Sequence, residues 1–139
     1  MARTVHDAEL GELTWDKHLE WWAGRVEVAG RPLELAVRAA DELEEALLAA
    51  RRLVAMLGLR EAELRRLAAD ELIDLHNDLW AEGEPIDAAT FFARIALRSL
   101  VVQGAEGELY FDDGGLLGGQ SVVVTVDERG RVKDLSVAG

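Results

Sequence analysis

The hydrophobic period changes twice along the chain, and this constrains the fold more than any single motif. Near the N-terminus apolar residues alternate with polar ones: Leu13 and Trp15, then Trp22, Gly24, Val26 and Val28, then Leu33, Leu35 and Val37. A period of two marks a strand with one buried face. Asp16-Lys17 and Ala29-Gly30 read as the intervening turns, and Pro32 sits near the start of the last of these strands. A three-stranded meander is expected. The spacing then becomes helical. Leu43, Ala46, Leu47, Ala50, Val54 and Leu57 form a stripe, with Asp41 and Glu44 as a capping box and Gly58 as a stop. A second stripe, Leu64, Leu67, Ala68, Leu72, Leu75 and Leu79, closes at Gly83 and Pro85. Asp87 reads as the N-cap of a short third helix that carries Phe91, Phe92 and Ile95. Helices are thus expected over 41–57, 60–82 and 88–95. Alternation returns in Ser99–Gln103, Glu108–Asp112, Gln120–Val126 and Arg131–Val137, and Asp127-Glu128-Arg129-Gly130 reads as a hairpin loop. The expectation is a single α+β domain over 1–139. Its antiparallel sheet joins the N-terminal three-stranded meander to four C-terminal strands, and three helices pack on it.

Charge narrows the classes of partner. The chain holds 27 acidic and 15 basic residues, for a net charge of −12. Nucleic-acid binding needs Lys and Arg to displace counterions from phosphates, so nucleic acid is not an expected partner. Anionic membrane surfaces are disfavoured for the same reason. A basic protein would be attracted, although a high negative charge also serves solubility alone. Without cysteine, disulfides, thiolate metal sites and cysteine nucleophiles are excluded. The longest apolar stretches, around Ala46–Ala50 and Leu53–Leu57, are split by Arg51-Arg52, so neither spans a bilayer. The start Met1–Asp7 lacks the apolar segment of an export signal. A cytoplasmic protein, monomeric or homodimeric, is expected.

The most distinctive segment for chemistry is Asp112-Asp113-Gly114-Gly115-Leu116-Leu117-Gly118-Gly119-Gln120-Ser121. Four glycines in six residues permit positive φ and close backbone approach. The segment is not a phosphate loop, because a Val-rich strand follows it rather than a helix N-terminus with a Lys-Ser pair. It is not a nucleophile elbow, because Val123 stands at the second glycine position. Two adjacent aspartates are too few for a calcium loop. A bulged hairpin connection accounts for it structurally, and Asp112, Asp113, Gln120 and Ser121 are the best candidates for any ligand site. Asp70, Asp74 and Asp78 recur every fourth residue with His76 nearby, but opposite the leucines, as on a solvated helix face. His6, His18 and His76 are dispersed, so neither a metal nor a cofactor is expected. Trp21 and Trp22 are adjacent in a strand and must leave by opposite faces. With helices on one face only, one ring lacks a covering layer, which makes the pair candidate binding residues. Trp80 is expected in the core.

Several of these residues together resemble a known family. Asp112-Asp113-Gly114, Leu116-Leu117, Gly119, Ser121-Val122 and the terminal Ala138-Gly139 are similar to the C-terminal signature of uncharacterised bacterial proteins grouped as domain of unknown function 2262. Leu13-Thr14-Trp15, Glu20-Trp21-Trp22 and Phe91–Ile95 match its style. The chain departs from that pattern at Gly118, where the family carries an aromatic, and at Gln120, where it carries a histidine. The resemblance implies an architecture and no established activity. Two functions then remain. One is a non-enzymatic acidic interaction module, in its sharper form immunity- or inhibitor-like toward a basic partner. The other is a small-molecule-binding domain or enzyme that uses the loop 112–121.

Overall fold

The computed structural model describes residues 3–39 and 42–139. They form one eight-stranded sheet whose spatial order follows chain order. Strands β1 (Thr4–Asp7), β2 (Gly11–Asp16), β3 (Trp21–Val28) and β4 (Arg31–Arg38) pair antiparallel with their sequential neighbours. So do β5 (Ala96–Gln103), β6 (Glu106–Asp112), β7 (Ser121–Asp127) and β8 (Val132–Ala138). Between the two meanders run helix α1 (Leu43–Leu75), a π-helical turn (His76–Trp80) and helix α2 (Ala88–Arg94). The α+β class is therefore as expected. No helix among the described residues is long and apolar enough to cross a membrane.

Three details differ from the expectation. The N-terminal meander has four strands, because Thr4–Asp7 pairs with β2 from Thr4↔Thr14 to Asp7↔Gly11. Its turn is closed by the Asp7 carboxylate, which accepts from the Glu9 and Leu10 amides at 2.9 and 3.0 Å. The sheet is not purely antiparallel, since β4 and β5 meet in parallel from Glu34↔Ser99 to Arg38↔Gln103. Parallel neighbours need a long crossover, and the helical segment supplies it. Finally, 41–57 and 60–82 are not separate helices. Gly58 lies inside α1, exposed, where an added Cβ would meet nothing within 4 Å. A mid-helix glycine costs about 1 kcal/mol, too little to break a helix anchored on both sides of it. The anchors are Leu47, Ala50, Leu53 and Leu57 before Gly58, and Leu64, Ala68 and Leu72 after it, all buried. The expected cap Asp41 lies outside the described residues.

The core fills the space between the helices and one face of the sheet. Trp22, Val26, Leu35, Val37, Leu100, Leu109, Phe111, Val122 and Val124 meet the α1 stripe and Phe91 of α2. The close approach of helix to sheet requires Gly107, whose added Cβ would stand 2.8 Å from Leu100 and 3.2 Å from Leu53. At the entry to α2, Asp87 is the expected N-cap and accepts from the Thr90 amide at 2.8 Å. The helices thus cover one face of the sheet and leave the other open.

Candidate functional site

The glycine-rich segment joins β6 to β7 and is organised by a buried anion. Asp113 is 3% exposed. Its Oδ1 accepts from the Gly115 amide at 2.9 Å, and its Oδ2 from the Leu117 and Gly119 amides at 2.9 and 2.8 Å. Burial pushes this carboxyl up, but the amides of Gly115, Leu117, Gly119 and Gln120 outweigh burial and hold it below its ordinary pKa. All four glycines have positive φ, from 61° at Gly114 to 84° at Gly119. Two are also pinned by neighbours. A Cβ on Gly114 would collide with the Arg94 carbonyl oxygen, and one on Gly118 would stand 2.7 Å from the Trp80 ring. Leu116 and Leu117 turn inward and plug the end of the core.

On the open face of the sheet, a groove of about 720 Å³ gathers the other expected loop residues. Asp112, Gln120 and Ser121 line it beside Arg25, Glu34, Arg98 and Tyr110, and Asp113 reaches its wall. Arg25, Glu34, Ser99 and Tyr110 are cross-strand neighbours on β3 to β6. The groove's charges pair internally. Arg25 donates through Nε and Nη2 to Glu34 Oε1 at 2.9 and 2.7 Å, and Arg98 pairs with Asp112. Burial, then the neighbouring Glu108 carboxylate, raises the Tyr110 hydroxyl pKa. Arg25, Glu34, Arg98 and Tyr110 are not among the site residues expected from the sequence. For Arg25, Glu34 and Tyr110 the available signal was an alternation phase opposite the core residues of each strand, whereas Arg98 shares the phase of Leu100 and Val102 and lines the groove beside the β-bulge between Leu97 and Ser99.

Trp21 and Trp22 leave by opposite faces, as their adjacency requires. Trp22 is 3% exposed, its Nε1 donates to the Ala39 carbonyl at 3.3 Å, and its ring meets Trp15 edge-on at 5.3 Å. Trp21 lies half-buried on the open face under the Arg38 guanidinium, 5.3 Å from the ring centroid, and does not line the groove.

The solvated acidic face expected at Asp70, Asp74 and Asp78 extends beyond α1. Between Leu67 and Ala93 there are seven carboxylates (Asp70, Glu71, Asp74, Asp78, Glu82, Glu84 and Asp87) and no Lys or Arg. All seven are exposed. Along the chain they flank Leu79 and Trp80, which are 71% and 40% exposed, and Glu82 and Glu84 line one cleft with Trp80. The expectation that Trp80 is core is thus overturned. His76 faces inward as the continuation of the buried row Leu64, Ala68 and Leu72, and the π-helical turn that begins there shifts the helical phase so that Leu79 and Trp80 turn outward. His76 is 5% exposed and meets Phe91 edge-on at 6.1 Å. With Trp80, Glu82, Glu84, Arg94 and the backs of Gly115 and Gly118, it lines a cleft of about 370 Å³. Among the described residues no three His, Asp or Glu side chains converge to hold a metal ion. The sequence shows the Asp70, Asp74 and Asp78 row, and the burial of His76 was legible in its position four residues after Leu72.

No curated protein and no solved structure matches the chain. The family model described as "Uncharacterized protein conserved in bacteria (DUF2262)" matches residues 7–137, which include every strand and helix described above apart from all but the last residue of β1 and the last residue of β8. The glycine loop and the paired tryptophans lie inside that match, and the chain belongs to the DUF2262 family.

Proposed function

We propose that this protein is a non-enzymatic interaction module that binds a basic protein through the acidic end of its helical layer. One observation carries the reading: seven exposed carboxylates with no Lys or Arg between Leu67 and Ala93, a stretch that also exposes Leu79 and Trp80. A surface of one sign steers an oppositely charged partner and raises its association rate. An exposed tryptophan within it supplies the apolar anchor typical of binding hot spots. In its sharper form the module is immunity- or inhibitor-like, with the acidic end capping a basic working surface.

The test is affinity capture on the immobilised protein, identification of the retained chain, and measurement with that chain purified. The wild type should retain a basic partner, and Asp74→Lys with Asp78→Lys should release it. An acidic partner, or one indifferent to this charge reversal, would refute the reading.

A second reading has its own observation, the 720 Å³ groove in which Asp112, Gln120 and Ser121 meet Arg25, Arg98 and Tyr110. It makes the open face a site for a small polar ligand. A metabolite that raises the melting temperature of the wild type, but not of Arg98→Ala, would favour it.

A further inference from the structure

We infer that the cleft beneath Trp80 is a receptor for one lysine or arginine side chain of the partner, with the bare Nε2 of His76 as its acceptor. This inference rests on the acidic-interaction reading and names the group that reading needs.

The hydrogen-bond network assigns the imidazole tautomer. Asn77 is held from both sides by the backbone of one residue: its Nδ2 donates to the Ile86 carbonyl at 2.9 Å, and its Oδ1 accepts from the Ile86 amide at 3.1 Å. The amide therefore cannot be flipped without losing both bonds. Its Oδ1 lies 2.9 Å from His76 Nδ1. An oxygen can only accept, so Nδ1 carries the hydrogen, and in the neutral ring Nε2 is left as a bare lone pair. Nε2 has no hydrogen-bond partner among the described residues, although His76 is only 5% exposed. Yet no side-chain nitrogen or oxygen among these residues is sealed from solvent without a partner. Nε2 must therefore open onto the cleft that His76 lines.

A lone pair in that position calls for a donor, and the surroundings decide which kind. Glu82 and Glu84 stand at the rim. The one cation lining the cleft among the described residues, Arg94, is engaged with the Gly114 carbonyl at 2.7 Å. The Trp80 ring backs onto Gly118 and keeps 40% of the residue's surface exposed, so it can offer a π face to a cation. Ile86 and Leu116 add apolar wall for an alkyl stem. The volume, about 370 Å³, suits a single side chain and lies at the small end of ligand pockets. Slender, cationic, donor-tipped and apolar-stemmed describes lysine and arginine. A metal ion does not fit, because the cleft lacks a third converging ligand.

The experiment titrates the wild-type protein with Nα-acetyl-arginine N-methylamide, its lysine counterpart, and the neutral citrulline counterpart. The readouts are the His76 imidazole nitrogen resonances and Trp80 fluorescence. Both cationic probes should shift the Nε2 resonance saturably, in about the millimolar range expected for one isolated side chain. Citrulline should not. Glu82→Gln with Glu84→Gln changes exposed positions only, and either this pair or Trp80→Ala should weaken the probes about three- to tenfold. An unmoved Nε2 resonance, or equal binding of citrulline, would overturn the inference. The two readings fail separately. A basic partner released by Asp74→Lys with Asp78→Lys but indifferent to Trp80→Ala and His76→Leu would keep the acidic-end reading and sink the receptor. A partner indifferent to the charge reversal would sink the acidic-end reading, leaving the probe titration to judge the cleft.

Discussion

Asp7 closes β1 beneath the helical layer, and its side chain is only 3% exposed. Arg51 of α1 donates to its Oδ2 through Nε and Nη2 at 2.9 and 2.7 Å. The Arg51 hydrogen bonds lower the carboxyl pKa and burial opposes them; with the Leu10 and Glu9 amides added, the pKa falls to about 2. A carboxyl pKa depressed by folding contributes stability above the unfolded value, and that contribution is lost as pH falls through the folded one. The window here runs from the ordinary 3.8 down to about 2. Because Arg51 is 30% exposed, solvent screening reduces the contribution to about 1–2 kcal/mol. Asp7→Asn should therefore lower stability at neutral pH and flatten the acid limb of the unfolding curve, as read by urea melts between about pH 5 and 2. The glycine loop supports a second prediction at this scale. Gly119 has positive φ but open space around its Cβ position, so alanine there bears backbone strain alone, about 1 kcal/mol. Gly114 adds a backbone collision with Arg94. Gly114→Ala should thus destabilise clearly more than Gly119→Ala in the same denaturation assay. Equal costs would show that the loop yields at Arg94.

Helix α1 is the element where local signals conflicted. Gly58 reads as a stop, yet Leu57 and Leu64 are seven residues apart, two helical turns, so the apolar stripe keeps its phase through the glycine. That phase was legible and outweighs the glycine. The result is a rod of 33 residues, about 50 Å long, lying across the middle of the sheet. Because Gly58 is exposed and its Cβ position empty, Gly58→Ala should stabilise the protein by about 0.5–1 kcal/mol, measured as a rise in melting temperature. A loss of stability would mean that α1 needs a hinge at that point. The π-helical turn was not legible. Nothing in His76-Asn77-Asp78-Leu79-Trp80 departs from helical spacing, and the turn is set by Asn77 gripping Ile86 nine residues on.

For the molecule as a whole, charge is the property with the longest reach. At −12, its field attracts cations and repels phosphate backbones. Association with a basic partner should slow steeply as salt rises past physiological strength, where the Debye length is about 8 Å. Duplex DNA should not bind at about 150 mM salt. Stopped-flow rates and a DNA titration check the two outcomes. Tight DNA binding would refute the electrostatic argument, and a salt-independent on-rate would reduce the charge to a solubility device.

What the sequence determined by itself was local: which residues alternate, which recur at helical spacing, where Asp87 caps, and that Trp21 and Trp22 part to opposite faces. Each follows from the geometry of a few consecutive residues. The α+β class follows in turn, because strand-forming ends flanking an amphipathic middle have few ways to bury their apolar faces. Only the tertiary structure decided the parallel junction of β4 with β5, the convergence of Arg25, Arg98 and Tyr110 on Asp112 and Gln120, and the placing of His76 behind the glycine loop. These depend on strand register and on where a long crossover returns the chain. Both are set by the combined fit of the whole core, so no window of sequence contains them.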